Sequence, residues 1–203
     1  MSINNLMNKE IIWKLIESYF HGKHLERLVQ HQIESYNYFI NTQLEKTINM
    51  FNPVVIHSEH DKDEKTGLYT LEIIVTFTNF QIYRPQIHEN NGATKIMFPH
   101  EARLRNFTYA SPMTLDINIQ IIKRTGDDLE KVENLQKKLP RIHIGKMPIM
   151  LKSSICVLKQ YNHLSPEITG ECCMDGGGYF IINGSEKTCL GQERAAENNI
   201  MCF

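Results

Sequence analysis

The 203-residue chain has no run of about 18 apolar residues, so no membrane-spanning helix is expected in it. It opens with Met1, no apolar secretory stretch follows, and no lipidation motif is present. Net charge is nearly absent. The formal value of −1 at pH 7 argues against a free-standing nucleic-acid binder, which is usually basic overall, but leaves room for a local basic patch. No nucleophile–base set can be recognised, since such residues meet in space and not in sequence. No carboxylate cluster stands out as a metal-holding active site.

Cysteine is sparse and confined to the last quarter: Cys156, Cys172, Cys173, Cys189 and Cys202. An odd count without a secretory leader reads as free thiols in a reducing, intracellular compartment. Structural zinc takes paired Cys-x-x-Cys or Cys/His knuckles. Cys172 and Cys173 are adjacent and the others are widely spaced, so buried or incidental thiols are expected and metal ligands are not.

What is present is ordinary globular material, 41% apolar and 22% charged. A chain of this length makes one large or two small domains, and a compact domain would bury roughly 70% of its unfolded surface. Ile11, Ile12, Leu15, Ile16 and Tyr19 recur at helical spacing over residues 8–20, with Asn8 as N-cap and Trp13 at the stripe's edge. A second helix follows Gly22 on Leu25, Leu28, Val29, Ile33, Tyr36, Phe39 and Ile40. Its pattern loosens after Gln32, and Leu44, Ile48 and Phe51 extend the helical region toward Pro53.

The character then changes. Residues 57–67 are polar and read as a surface loop. Leu71, Ile73, Val75 and Phe77 alternate with mostly polar neighbours, and Leu115, Ile117, Ile119 and Ile121 alternate more cleanly. The second of these strands is expected to have one dry and one wet face. Residues 89–93 and 126–138 read as loops or short surface helices, and His100 to Arg105 as a helical turn after Pro99. The fold class is therefore α+β: N-terminal helices followed by a mixed, mostly antiparallel sheet body.

The densest signal lies near the end of the chain. Tyr179 to Ile182 form an apolar strand, with Tyr179, Phe180 and Ile182 assigned to the core. Asn183-Gly184 is the favoured type I′ turn pair, because both positions take positive φ, and residues 185–190 form the returning strand. Gly176, Gly177 and Gly178 do not make a phosphate loop, which needs Lys and Ser or Thr directly after the second of two spaced glycines. They are read as allowing tight packing or positive φ. From Asn134 to Pro166 there is no Asp or Glu, while Lys137, Lys138, Arg141, Lys146, Lys152 and Lys159 all occur. That run either faces a phosphate backbone locally or is a solvated face. Arg103 and Arg105 either bind phosphate or pair with Glu101 and nearby acids, and pairing is the favoured role.

Five segments, in order, resemble one family. They are residues 13–20 (Trp-Lys-Leu-Ile-Glu-Ser-Tyr-Phe), residues 31–40 (His-Gln-Ile-Glu-Ser-Tyr-Asn-Tyr-Phe-Ile), residues 99–112 (opening Pro-His-Glu-Ala-Arg-Leu-Arg-Asn-Phe-Thr-Tyr), residues 144–153 (Ile-Gly-Lys-Met-Pro-Ile-Met-Leu-Lys-Ser) and residues 177–194 (opening Gly-Gly-Tyr-Phe-Ile-Ile-Asn-Gly-Ser-Glu-Lys). Together they resemble the second-largest, β-type subunit of multisubunit DNA-directed RNA polymerases. The match is to the eukaryotic and archaeal type more than the bacterial, with a large DNA virus as a further source.

The resemblance implies the rest. Residues 1–45 would be an N-terminal helical segment, 46–191 the first part of a split protrusion domain, and 192–203 the start of a lobe domain. The role would be to form a wall of the DNA cleft and position DNA and the RNA–DNA hybrid during transcription. Lys187, Gln192 and Arg194 are expected near nucleic acid, with Lys146 and Lys152 as further candidates. No catalytic or metal-binding residue and no bound cofactor are expected here; Mg²⁺ would act in the assembled enzyme. The implied partners are the largest subunit, other polymerase subunits, template DNA, the hybrid and transcription initiation factors, with no membrane. The compartment would be the nucleus, or cytoplasm or virion for a viral protein. A rival expectation is a short, stand-alone, non-catalytic module that engages polymerase subunits or initiation factors.

Overall fold

A computed structural model describes residues 9–21, 24–58, 60, 62–63, 66–125, 129–161, 163–195, 197–198, 200 and 202. The N-terminal periodicity becomes α1 (Lys9–Phe20) and α2 (His24–Tyr38), then one π-helical turn (Phe39–Gln43) and α3 (Leu44–Met50). The cap assigned to Asn8 lies outside the described residues. The π turn accounts for the loosened spacing after Gln32, because it widens one turn and re-phases the apolar stripe. Tyr36 and Ile40, four residues apart on one face, are both buried against Met150 with Ile33 beside them, and the π turn keeps Leu44 on the same cluster. The Tyr36 hydroxyl donates to the Pro148 carbonyl at 2.6 Å, which fastens α2 to the sheet body.

The body contains β1 (Val54–His57), β2 (Leu71–Ile82), β3 (Gln86–His88), β4 (Thr94–Ile96), α4 (Pro99–Leu104), β5 (Ala110–Thr125) and β6 (Lys131–Pro148). Short helices α5 (Val157–Gln160) and α6 (Pro166–Thr169) precede β7 (Phe180–Ile182) and β8 (Ser185–Lys187). The main sheet has the order β1-β2-β5-β6; β3-β4 and β7-β8 are separate two-stranded pairs. Every described pairing is antiparallel, and the expected α+β class, helices followed by a mostly antiparallel sheet body, holds. Asn52 ties the helical segment to this sheet: its side chain bonds both the N–H and the carbonyl of Phe77, at 3.0 and 2.7 Å.

Two expectations about the main sheet need correction. Residues 131–138 are not loop or helix but the outer half of β6, paired with β5 from Thr125↔Lys131 to Asn118↔Lys138. They escape a periodicity reading because every one of them is exposed, so neither face had to be apolar. Nor does β5 have a dry face along its length. Residues directly opposite in register share a face, which gives the rows Ile56–Ile73–Ile121–Leu135 and Val54–Val75–Ile119–Lys137. None of these side chains is buried; of the alternating set only Leu115 is. The alternation is real, but among the described residues no second layer lies across it.

The core instead sits where β5 begins and β6 ends. Ile87, Met97, Ala102, Tyr109, Ile149, Leu151, Cys156 and Ile181 form one buried cluster. Backbone bonds braid three segments through it: Tyr109 N–H to the Ile181 carbonyl, Ile149 N–H to the Tyr109 carbonyl, and Leu151 N–H to the Tyr179 carbonyl, each 2.9 Å. Strand alternation then decides which of the 179–182 residues is inside. Ile181 is fully buried, whereas Tyr179, Phe180 and Ile182 are only partly so, which corrects their assignment as core. Phe180 packs edge-on against Tyr36, with ring centroids 5.6 Å apart.

Candidate nucleic-acid interface

The β7–β8 hairpin is built as its sequence demands. Asn183 and Gly184 have φ of 50° and 78°, both in the left-handed region the type I′ turn requires. The Thr108 hydroxyl accepts from Asn183 N–H at 3.1 Å, and Gly184 N–H donates to the Phe107 carbonyl at 3.0 Å. The corner is thus clamped to the segment between α4 and β5. Gly177 and Gly178 also take positive φ; a Cβ on Gly178 would lie 2.9 Å from that of Val29 on α2, and one on Gly177 would lie 2.7 Å from the Leu151 carbonyl oxygen, so the two let the backbone press against α2 and against residues 151–152. The returning strand is shorter than expected: β8 ends at Lys187, and the described residues after it form no helix or strand.

Arg103, on α4, locks the hairpin electrostatically. Its guanidinium reaches both Glu171 carboxylate oxygens (3.1 and 3.0 Å), Glu186 on β8 (2.8 Å) and the Tyr179 hydroxyl (2.7 Å). Tyr179 in turn donates to Asp175, which also accepts from Gly177 N–H at 2.8 Å. Burial and the Asp175 carboxylate push the Tyr179 phenol above its ordinary range, with Arg103 opposing. A forked guanidinium can serve three side chains through four oxygens at once in this way, and an ammonium cannot.

Arg105 pairs as well. It bonds Glu89 through two nitrogens, at 2.7 and 3.1 Å, and Glu101 at 3.1 Å, while Lys95 holds both acids from the other side. Both arginines are therefore ion-paired. The bonds from Arg105, then Lys95, lower the Glu89 carboxyl to about 2. A lowered acid contributes stability above its unfolded value, about 4.3, and loses it as pH falls through the folded value. We expect Glu89 to titrate near 2 by NMR and to return toward the ordinary glutamate range in Arg105→Ala. An unshifted Glu89 in the native chain would refute the pairing.

The five candidates fall in three places. Lys187 closes β8, and Gln192 and Arg194 follow on the exposed segment beyond it. That segment is anchored by Gln32 of α2, whose amide donates to the Cys189 carbonyl at 2.8 Å. Arg194 bonds Glu197; both are largely exposed, so the pair is weak and exchangeable. Lys152 lies away from them in a cleft of about 700 Å³ beside α2, lined also by Arg27, Glu34 and Lys159, and donates to the Asp175 carbonyl. Lys146, near the end of β6, lines a separate cleft of about 400 Å³ with His88, Phe107 and Thr108. Lys187, Gln192 and Arg194 are thus brought onto one segment, and Lys146 and Lys152 are not brought together. Among the described residues no three His, Cys, Asp or Glu side chains converge to offer Mg²⁺ a ligand set.

Gln32 was missed by sequence reading, because nothing in the spacing of residues 157 apart announces their contact. Nearly all of the frame just described, from Arg27 in α2 through the hairpin, falls within one family model. That model, for the RNA polymerase beta subunit, matches residues 27–198. The chain belongs to the RNA polymerase beta subunit family. DNA-directed RNA polymerase II subunit 2 of Arabidopsis thaliana is 35% identical over 199 residues, covering 97% of this chain and 16% of the relative. The RPB2 subunit of Encephalitozoon cuniculi is 36% identical over 99% of the chain and 17% of its own length. The archaeal subunit Rpo2N of Methanothermobacter thermautotrophicus strain Winter is 33% identical over 95% of the chain and 33% of its own length. The chain therefore spans between about a sixth and a third of the curated beta-family relatives it matches. Among the described residues no helix is long and apolar enough to cross a membrane.

Proposed function

We propose that the chain serves as part of a DNA-directed RNA polymerase second-largest subunit, forming one wall of the DNA cleft and positioning DNA and the RNA–DNA hybrid. Family membership across residues 27–198 is the observation that carries this reading. The geometry supports it in one respect: Lys187, Gln192 and Arg194 are exposed on a segment anchored at the clamped hairpin and at Cys189. Such groups grip a phosphate backbone and fix its path without reading sequence. The assembled enzyme would join nucleotides on a DNA template, with Mg²⁺ stabilising the attacking and leaving oxygens; this chain's own contribution is positioning.

The division into residues 1–45, 46–191 and 192–203 as helical segment, protrusion and beginning of a lobe belongs to the same proposal. So do the partners: the largest subunit, other polymerase subunits and initiation factors. The surface of α1 favours protein partners. Ile11, Trp13, Leu15, Ile16 and Tyr19 on it are all exposed, apolar surface of the kind a protein partner covers.

The test is Lys187→Ala with Arg194→Ala in the assembled polymerase. Loss of two phosphate contacts should weaken DNA retention and flatten the slope of log K against log salt by about 2. Unchanged retention, hybrid stability and salt slope would sink the assignment of these residues.

A further inference from the structure

Four of the five thiols are exposed, and two of those stand on adjacent residues, Cys172 and Cys173. They occupy a turn that is held at both ends. Upstream, Arg103 grips both oxygens of Glu171, and a Cβ on Gly170 would lie 2.7 Å from the His100 ring on α4. Downstream, the Asp175 carboxylate accepts from Gly177 N–H and from the Tyr179 hydroxyl, and the Asp175 carbonyl accepts from Lys152. The turn itself is closed by Asp175 N–H, which donates to the Cys172 carbonyl at 3.2 Å. Between the anchors, Cys172, Cys173 and Met174 are all open to solvent. A single exposed thiol reacts as any surface thiol does. Adjacent thiols differ, because a group captured by one sulfur is within immediate reach of the other, at a high effective concentration.

We propose that Cys172 and Cys173 form a dithiol site for low-molecular-weight disulfides, and that its oxidation opens the turn that seats Asp175. One cysteine thiolate attacks the incoming disulfide, expels one half of it as a thiolate and is left as a mixed disulfide. The neighbouring thiolate then attacks the cysteine sulfur of that mixed disulfide and expels the second half. The two cysteine protons go to the two departing thiolates. The cysteine pair loses two electrons and the external disulfide gains them. The closed ring does not fit the turn as it stands. Neighbouring Cα atoms are about 3.8 Å apart, short of the roughly 4.4–6.8 Å a disulfide usually spans. The peptide between the two residues has to twist, and the carbonyl that accepts from Asp175 N–H belongs to that peptide. Oxidation therefore turns the acceptor away and releases Asp175, whose carboxylate ties Gly177 and Tyr179 into the Arg103 network. Cys156 takes no part, because it is fully buried.

The experiment treats the full 203-residue chain with glutathione disulfide, blocks the remaining thiols, maps the products by peptide mass spectrometry and reads hydrogen exchange on the same samples. We expect a bond between Cys172 and Cys173, with Cys156 still reduced, and full reversal by dithiothreitol. In the oxidised chain the amide hydrogens of Asp175 and Gly177 should exchange at least about tenfold faster. Those of Tyr109 and Ile149, in the braid around Ile181, should keep their rates. Cys172→Ser and Cys173→Ser, both at exposed positions, should each stop at a glutathione mixed disulfide on the remaining cysteine and leave exchange at Asp175 unchanged. Mixed disulfides alone on the native chain, pairing of either cysteine with Cys189 or Cys202, no reaction, or a Cys172–Cys173 bond without faster exchange at Asp175 would each overturn the proposal.

Discussion

Arg103→Leu lowers the unfolding free energy by roughly 3 kcal/mol, read as a shift of the denaturation midpoint at constant slope. The size follows from what the substitution leaves behind. The Arg103 and Glu171 side chains are only 20% and 9% exposed, so removing the guanidinium strands a poorly solvated carboxylate. Arg103→Lys should recover only part of the loss, because one ammonium cannot reach Glu171, Glu186 and Tyr179 together. Removing both charges, as Arg103→Leu with Glu171→Leu, should be milder than Arg103→Leu alone. If the double variant is the worse of the two, the network is not held by this pair. The consequence extends to the candidate interface: Glu186, no longer neutralised by Arg103, immediately precedes Lys187 and would repel a nearby phosphate. Weakened DNA retention is then expected in the assembled enzyme even though Arg103 is not itself a candidate contact.

The parts of this fold that sequence revealed are those decided by neighbours along the chain. Asn183-Gly184 announces a two-residue corner because few other pairs accept positive φ twice. Pro99 announces the start of α4 because its missing N–H is harmless there. The alternation at 115–121 announces a strand. What stayed hidden was decided at a distance or by exposure. Residues 131–138 carry no period because an edge strand open on both sides is under no pressure to show one. The π turn at 39–43 disguised a continuous helical region as a fading one. The pairing of Arg103 with Glu171, 68 residues on, follows only once the 171–179 segment has been folded against α4. For the candidate interface, residue types and the likeness to a family named Lys187, Gln192 and Arg194, while their anchoring through Gln32 and the separation of Lys146 from Lys152 are visible only in the folded chain.

Tyr109 carries the largest single expected effect. It is completely buried where the start of β5, residues 149–151 and β7 are stitched together. Its hydroxyl accepts from Val157 N–H at 3.0 Å and touches the Cys156 sulfur at 3.5 Å. Tyr109→Ala removes the ring from the centre of the main cluster and should cost about 4 kcal/mol or more, enough to threaten folding at ordinary temperature. Tyr109→Phe separates packing from polarity: the ring stays, Val157 N–H loses its acceptor, and a loss of about 1–3 kcal/mol is expected. The two variants also differ in alkali. Burial raises the phenol's pKa, so the proton is held more tightly in the folded than in the unfolded chain. Stability from that source is complete below the unfolded value of about 10 and is lost as pH rises beyond it. Part of the alkaline destabilisation of the native chain should therefore disappear in Tyr109→Phe. The remainder would come from Tyr36 and Tyr179, whose phenols are raised by the same cause. An alkaline limb identical in the native chain and in Tyr109→Phe would show that Tyr109 is not sealed from solvent, and with it that the braid around Ile181 is looser than its hydrogen bonds indicate.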